Sequence, residues 1–560
     1  MGLLSKKREV FLVVHREWKF FVVGLVAVVL ASIWPGMRQA NIGYVDPNIY
    51  IGYSENWKGL VEIAGYDYHA TRLPYIALLK LLSLTGTSLF WLAYKFALNL
   101  IIFVGWILIS SVLSVSRANK LISGLILLFH PIIFSSTSWT IAQSFAVSIS
   151  VLVWGLLLNS YMAQPTRLTC SAFAIVLCFN SNLWAGFLNL VGALLYVLAT
   201  TKGKRIKSFL HYIGIILIGA ISLEFLWRLF FGWSQPLWDL HLRTVSRGVI
   251  SQRGFEEWKS LVELIRIGQI PWTAFSLVTV MIASFLLAVF NFKSAKQNTT
   301  IIFELAIASC AMSVTSFASH LVGVNPQFTS FWYFYFNFTS WLLLFTAASH
   351  IIAKKSEIAL GLVLKIVLYS ELILAIMITD FSRPRIGVIT ISFIGVCMLL
   401  FRYRVHITSK ILILTGATFL SMFFVFLSPS FANAYRTNNL KDAIGFYEDQ
   451  KVIMKTVFNL PLNRGNLATW SEKDSSGFAG GELSTLSYHL TRLEGLGQQV
   501  DEIKPSMWLK NHDNLPKYIA IFLRSDSRYV ISSKTLMHYE IESVRLLPSG
   551  KVKFIVVRLK

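Results

Sequence analysis

The chain has 560 residues, 55% of them hydrophobic and only 14% charged, with a mean hydropathy of +0.60. Soluble domains carry about 25% charged residues, so a soluble fold, a disordered chain and a nucleic-acid-binding domain are poor readings. The 51 Lys and Arg against 28 Asp and Glu give a formal charge of +23. These cations are spread between long apolar runs, which is the signature of membrane topology rather than of a polyanion-binding patch.

A helix needs about 20 apolar residues to cross a hydrocarbon core of ~30 Å. Runs at 18–34, 88–113, 121–136, 139–161, 168–180, 183–200, 209–232, 270–292, 301–321, 330–352, 358–379, 386–401 and 411–429 predict about 13 crossings. The pair 168–180 and 183–200 is short and meets at Asn180-Ser181-Asn182, so it reads as two tilted spans or as a re-entrant pair. The first run ends in Ile33-Trp34-Pro35-Gly36 without a small-x-small cleavage site and reads as a retained anchor. Cys170, Cys178, Cys310 and Cys397 all fall inside apolar runs and read as small buried hydrophobes.

Cations in short loops stay on the cytoplasmic side. Lys6, Lys7 and Arg8 precede the first run, and Arg117, Arg167, Lys204, Lys293, Lys354 and Arg402 fall in alternate loops. Counting 168–200 as two crossings makes every one of these loops cytoplasmic. The N-terminus is then inside, and segments 35–87, 233–269 and 430–560 are outside. Composition shifts after Phe431 toward charge and turn residues. Residues 432–560 therefore read as a separate α+β domain, and 1–431 as the transmembrane module. Within the former, helices are expected at Leu440–Phe458 and Leu483–Leu493, and strands at Tyr518–Leu523, Tyr529–Ser532 and Val552–Leu559.

The first outside loop has the most unusual sequence. Asp46-Pro47 suits the start of a helix, and Tyr50, Tyr53, Trp57 and Leu60 follow at helical spacing. An amphipathic helix lying on the membrane surface is expected, with Asp46 at its N-cap. The loop continues Asp67-Tyr68-His69-Ala70-Thr71-Arg72-Leu73-Pro74. On residue type alone, Arg72 is an interfacial arginine snorkelling to water or a phosphate ligand. Asp67 and His69 are solvated loop residues or members of a site. Arg383 and Arg385 lie outside against the general charge rule, just after Asp380, and His320 lies near the outer end of a span. The loop 233–269, with Asp239, His241, Arg243 and Glu256, reads as a mixed-charge cover for an acceptor. Lys95, Glu224, Arg228, Glu304, Lys365 and Glu371 fall within spans, and Glu224 and Arg228 are spaced to pair on one helix face.

A multi-span chain with an acid just after its first helix, followed by a membrane-parallel helix, resembles the GT-C superfamily of glycosyltransferases. Asp46-Pro47-Asn48-Ile49-Tyr50-Ile51-Gly52-Tyr53 and Tyr68-His69-Ala70-Thr71-Arg72-Leu73-Pro74 carry the likeness. The resemblance implies an all-α, GT-C-like membrane bundle with an extracytoplasmic C-terminal domain, in a bacterial inner membrane. It implies a polyprenyl-phosphate-linked sugar as donor, a glycan, lipid or protein as acceptor, inversion at the anomeric carbon, and Asp46 as the catalytic residue. The chemistry asks for the same groups. A lipid phosphate needs cations at headgroup depth, an acceptor hydroxyl needs a base, and a departing phosphate needs charge stabilisation. Arg72, Arg383, Arg385 and His320 are the donor-phosphate candidates, and Asp67, His69, Tyr50 and Tyr53 the acceptor-side or supporting ones. The chain lacks the Asp-x-Asp or Asp-Glu pair of several GT-C families, so no cofactor is assigned and a divalent metal stays open. The competing readings are an O-antigen polymerase or ligase type, and a transporter or lipid flippase. The absence of internal repeats argues against the latter.

Overall fold

The computed structural model describes residues 22–33, 50–57, 68–112, 142–200, 205–231, 236–242, 272–297, 301–321, most of 338–347, 440–461, 467–471, 517–527 and 533–560, with isolated positions between them. The chain divides into two compact units that do not follow chain order. One comprises 1–34, 95–137 and 142–435; the other comprises 35–94, 138–141 and 436–560.

The regular elements described in the first unit are all helices. It contains α1 (Val22–Ile33) and, from Lys95 onward, the body of the helix Thr87–Ser110. In the numbering used below, α2 spans 50–57, α3 is Leu73–Ser83 and α4 is Thr87–Ser110. Then follow α5 (Ala142–Leu158), α6 (Gln164–Ser181), α7 (Leu183–Thr200), α8 (Arg205–Phe231), α9 (Trp272–Gln297) and α10 (Ile301–Leu321). Among the described residues, four helices are long and apolar enough to cross a membrane: Thr87–Ser110, Leu183–Thr200, Ile206–Leu229 and Ile301–Ala318. The chain is an integral membrane protein. Helices suit that solvent because each satisfies its own backbone hydrogen bonds. α8 turns Leu210, Leu217, Ile221, Phe225 and Leu229 outward, a surface that only lipid can cover cheaply.

Small residues and neutral polar pairs hold this unit together, as expected where lipid offers no hydrophobic drive between helices. α4 and α5 approach so closely that a Cβ added at Gly155 would lie 2.5 Å from the Gly105 carbonyl oxygen. The Trp154 indole donates to Asn189 Oδ1 at 2.9 Å, and Asn189 Nδ2 donates to Ser150 Oγ at 2.8 Å. Ser309 lies 2.8 Å from Ser284 and donates to the Ser340 carbonyl at 2.7 Å. The expected Glu224–Arg228 pair forms at 2.6 Å. Cys178 is buried, and Cys170 and Cys310 are half-buried free thiols.

Asn182 separates the two helices of the 168–200 pair. It is extended (φ −155°, ψ 116°), and its N–H donates to Cys178 O at 2.7 Å, closing α6. Its side chain accepts from Ala185 N at 3.0 Å and caps α7. The result is two helices of 18 residues each, about 27 Å long, packed on each other.

In the second unit, α11 (Leu440–Phe458) is followed by β1 (Leu467–Ser471), β2 (Tyr518–Arg524), α12 (Ser533–His538), β3 (Tyr539–Leu546) and β4 (Val552–Leu559). The sheet order is β1-β2-β4-β3, with β1 parallel to β2 and the other pairs antiparallel. β2 is buried on both faces as a central strand should be. Ile519, Ile521, Leu523, Tyr539, Ile555 and Val557 form one side of the core, and Phe522 packs on Phe554 at 5.0 Å on the other. The turn between β3 and β4 places Gly550 at φ +72°, where a side chain would be strained. α11 and β4 match the expected spans, while β1 and β3 were not anticipated. The expected helix Leu483–Leu493 lies outside the described residues, as does most of Tyr529–Ser532.

Candidate active site in the first loop

The described part of the first loop is a helix, a tight turn and a second helix, all within the second unit. α2 runs over 50–57, a 3-10 turn covers Tyr68–Thr71, and α3 begins at Leu73 with Pro74 in its first turn. Proline there costs nothing, since the first helical N–H groups have no intrahelical partner. Arg72 stands between the turn and α3. Its N–H donates to His69 O at 3.1 Å, and its carbonyl accepts from Tyr75 and Ile76, both at 3.0 Å. The backbone at Arg72 is therefore fixed by its neighbours on both sides, with no side-chain cap.

The side chains gather into one buried cluster. Tyr50 meets His69 edge-on at 5.4 Å and Tyr75 at 5.1 Å. Tyr75 meets Tyr94 at 6.4 Å, and their hydroxyls lie 3.4 Å apart. The Trp57 indole donates to Ala70 O at 3.3 Å, which closes α2 onto the turn. Tyr53, one helical turn after Tyr50, is equally buried. His69 is 0% exposed and Arg72 only 6%. Arg72 thus places a cationic side chain in the protein interior.

Three expectations change here. His69 is not a solvated loop residue, because the 3-10 turn presses its ring against Tyr50. Arg72 does not snorkel to water, since the same turn holds it inside. Residues 50–54 are buried in succession rather than on one stripe, so α2 is packed within protein and is not a half-exposed amphipathic helix.

Of the other site candidates, Asp46, Asp67, Arg383 and Arg385 lie outside the described residues. His320 belongs to the last turn of α10, in the first unit. Tyr50 and His69 are brought into contact, and Tyr53 and Arg72 are buried on the same helix and turn. Tyr75 and Tyr94 join them without having been singled out, although the recurrence of tyrosine through 44–94 was a usable signal. The described part of the 233–269 loop is a short helix at 237–242, whose His241 ring nitrogen lies 3.4 Å from Asn180 Oδ1 at the end of α6. Among the described residues, no group of three His, Cys, Asp or Glu side chains is placed to hold a metal ion.

No family model matches the chain, and no curated protein matches it. Similar solved structures exist. ArnT from Cupriavidus metallidurans bound to undecaprenyl phosphate is 11% identical, with a TM-score of 0.49 over 97% of this chain and 98% of that one. The Archaeoglobus fulgidus oligosaccharyltransferase tethered to an acceptor peptide containing the NVT sequon is 12% identical, with a TM-score of 0.43 over 90% of this chain and 69% of that one. Both are membrane glycosyltransferases of the GT-C superfamily, the family that the first loop resembles. Likeness at these identities and scores does not assign an activity to the chain.

Proposed function

We propose that the chain is a membrane glycosyltransferase that moves a sugar from a polyprenyl-phosphate donor to a hydroxyl of a glycan, lipid or protein on the extracytoplasmic face. One observation carries this reading: a cation, Arg72, is held in the protein interior at the end of the turn that buries His69, on the same loop as Asp46. An anionic phosphate is what a lipid-linked donor would present to a cation at this place.

In the proposed reaction Asp46 accepts the proton of the acceptor hydroxyl as its oxygen attacks the anomeric carbon. The bond from that carbon to the donor phosphate oxygen breaks on the opposite face, so the anomeric configuration inverts. The electron pair leaves with the polyprenyl phosphate, whose growing charge is met by Arg72. Arg383, Arg385 and His320 are the further candidates for that role. Tyr50, Tyr53, Asp67 and His69 serve the acceptor side or support it. The N-terminus is cytoplasmic and 432–560 extracytoplasmic in this reading.

The deciding experiment is Asp46→Asn, which keeps the shape of the side chain and removes its basicity. The cell-surface glycan that depends on the chain should fall by about a hundredfold or more, at unchanged protein abundance in the membrane. An unaltered glycan removes the reaction's base and with it the reading.

A further inference from the structure

The helix that follows Asp46 is gripped by a segment almost four hundred residues away. The Tyr447 hydroxyl, on α11, donates to Glu55 Oε1 of α2 at 3.2 Å. The Lys451 ammonium lies 3.5 Å from the same carboxylate oxygen and 4.9 Å from the centre of the Tyr447 ring. That ring is stacked on Phe90 at 4.4 Å and 17°, and meets Trp91 edge-on at 5.9 Å. One residue on, Glu448 accepts from Thr87 Oγ1 at 2.7 Å. Residues 447, 448 and 451 fall within about 100° of one another around a helix, so one side of α11 reaches both α2 and the start of α4. The far side is anchored as well. Asp449 accepts from the Ser549 N–H at 2.8 Å and from its hydroxyl at 2.5 Å, fixing α11 to the β3–β4 turn.

α2 in turn carries Tyr50 against His69 and Trp57 against the Ala70 carbonyl. Whatever sets the position of α2 therefore bears on the His69–Arg72 turn that packs against it. We propose that Tyr447 is a positioning residue for the reaction: through Glu55 it holds α2 in register with the His69–Arg72 turn, which makes α11 and its sheet a working part of the first loop. This assignment rests on the transferase reading above. Tyr447 is buried, as such a role requires. Glu55 contacts both Tyr447 and Lys451, so it is the point through which the grip is exerted.

The test uses the full chain in lipid nanodiscs and Tyr447→Phe, which keeps the stacked ring and removes the hydroxyl. Hydrogen exchange of the 50–57 and 68–76 backbone should quicken several-fold, with α6 and α7 unchanged as internal controls. In cells, the Asp46-dependent glycan should fall several-fold at equal protein level. Lys451→Glu should have the same effect, and combining it with Glu55→Lys should restore both readouts, a rescue that generic destabilisation would not give. Unchanged exchange in 50–57 overturns the coupling, and faster exchange with full glycan yield overturns its catalytic role. Asp46→Asn is run alongside. If that variant keeps its glycan, the transferase reading fails and takes the catalytic role of Tyr447 with it, while the exchange result still judges the grip of α11 on α2.

Discussion

The two units bury polarity in different ways. In the helical unit it is mostly neutral and paired, as in Trp154–Asn189–Ser150 and Ser284–Ser309–Ser340. Lys95 and Glu304 are its buried ions among the described residues. In the unit made of 35–94 and 436–560, by contrast, the buried polar groups include His69 against Tyr50, Arg72 at the end of the same turn, and Asp449 beneath the hairpin turn. Neutral hydrogen bonds between helices are modest glue, about 0.6 kcal/mol each on average in membranes. An enclosed charge costs far more, and such groups concentrate where chemistry is done. Under the proposed function, the contrast would separate a scaffold from a site.

Arg72 is where that contrast is most easily broken. Its backbone, not its side chain, makes the contacts that start α3, so Arg72→Ala should leave the fold standing. Loss of a charge-assisted contact of about 1.5–3 kcal/mol should cost roughly tenfold to a hundredfold in transfer. Kinetics with the lipid-linked donor would show it as a higher KM or a lower turnover, and normal kinetics would return Arg72 to the scaffold.

The opposite outcome is expected of Gly155→Leu in the helical unit. The added carbons meet the Gly105 backbone, and overpacking of this kind costs about 1–3 kcal/mol. A lowered thermal midpoint in detergent, with residual activity in proportion to the folded fraction, is the expected result. A selective loss of turnover instead would blur the division between scaffold and site.

The smallest effect concerns Asp449. Burial pushes its carboxyl up to about 6, against which the Ser549 hydrogen bonds pull it down. Below the ordinary carboxylate range the group is protonated whether the chain is folded or not, and its contribution to stability is complete. Between that range and about 6 the folded chain keeps a proton that the unfolded chain has lost. Stability is thus lost as pH rises through that window. Asp449→Asn should flatten the fall in thermal midpoint between about pH 4 and 7; a variant that tracks the parent curve would mean the group is not desolvated.

Parts of this were legible in the sequence because they obey a single local rule. The apolar runs at 88–113, 183–200, 209–232 and 301–321 gave helices that the structure describes, and the helical pattern of 440–458 and the unbroken apolar stretch of β4 gave elements whose bounds the structure reproduces. β3 was hidden because its pairing slips between Ile541 and Ser543, which shifts the phase of its alternation. β1 is only five residues long. His69 and Arg72 were marked as candidates by residue type, but their burial was not, since charged residues in a loop normally face water. The grip of Tyr447 on Glu55 spans 392 positions in the chain, and no periodicity reports a contact at that distance.

The order of strands has a bearing on biogenesis. β4 lies between β2 and β3 and is made after both, and β3 has no partner among the described strands except β4. The hairpin therefore cannot close until synthesis has passed Leu559. A stop codon ahead of Val552 would leave β3 without its neighbour and strip β2 of one side. Nonsense alleles that spare every apolar run should still yield a product open to proteolysis.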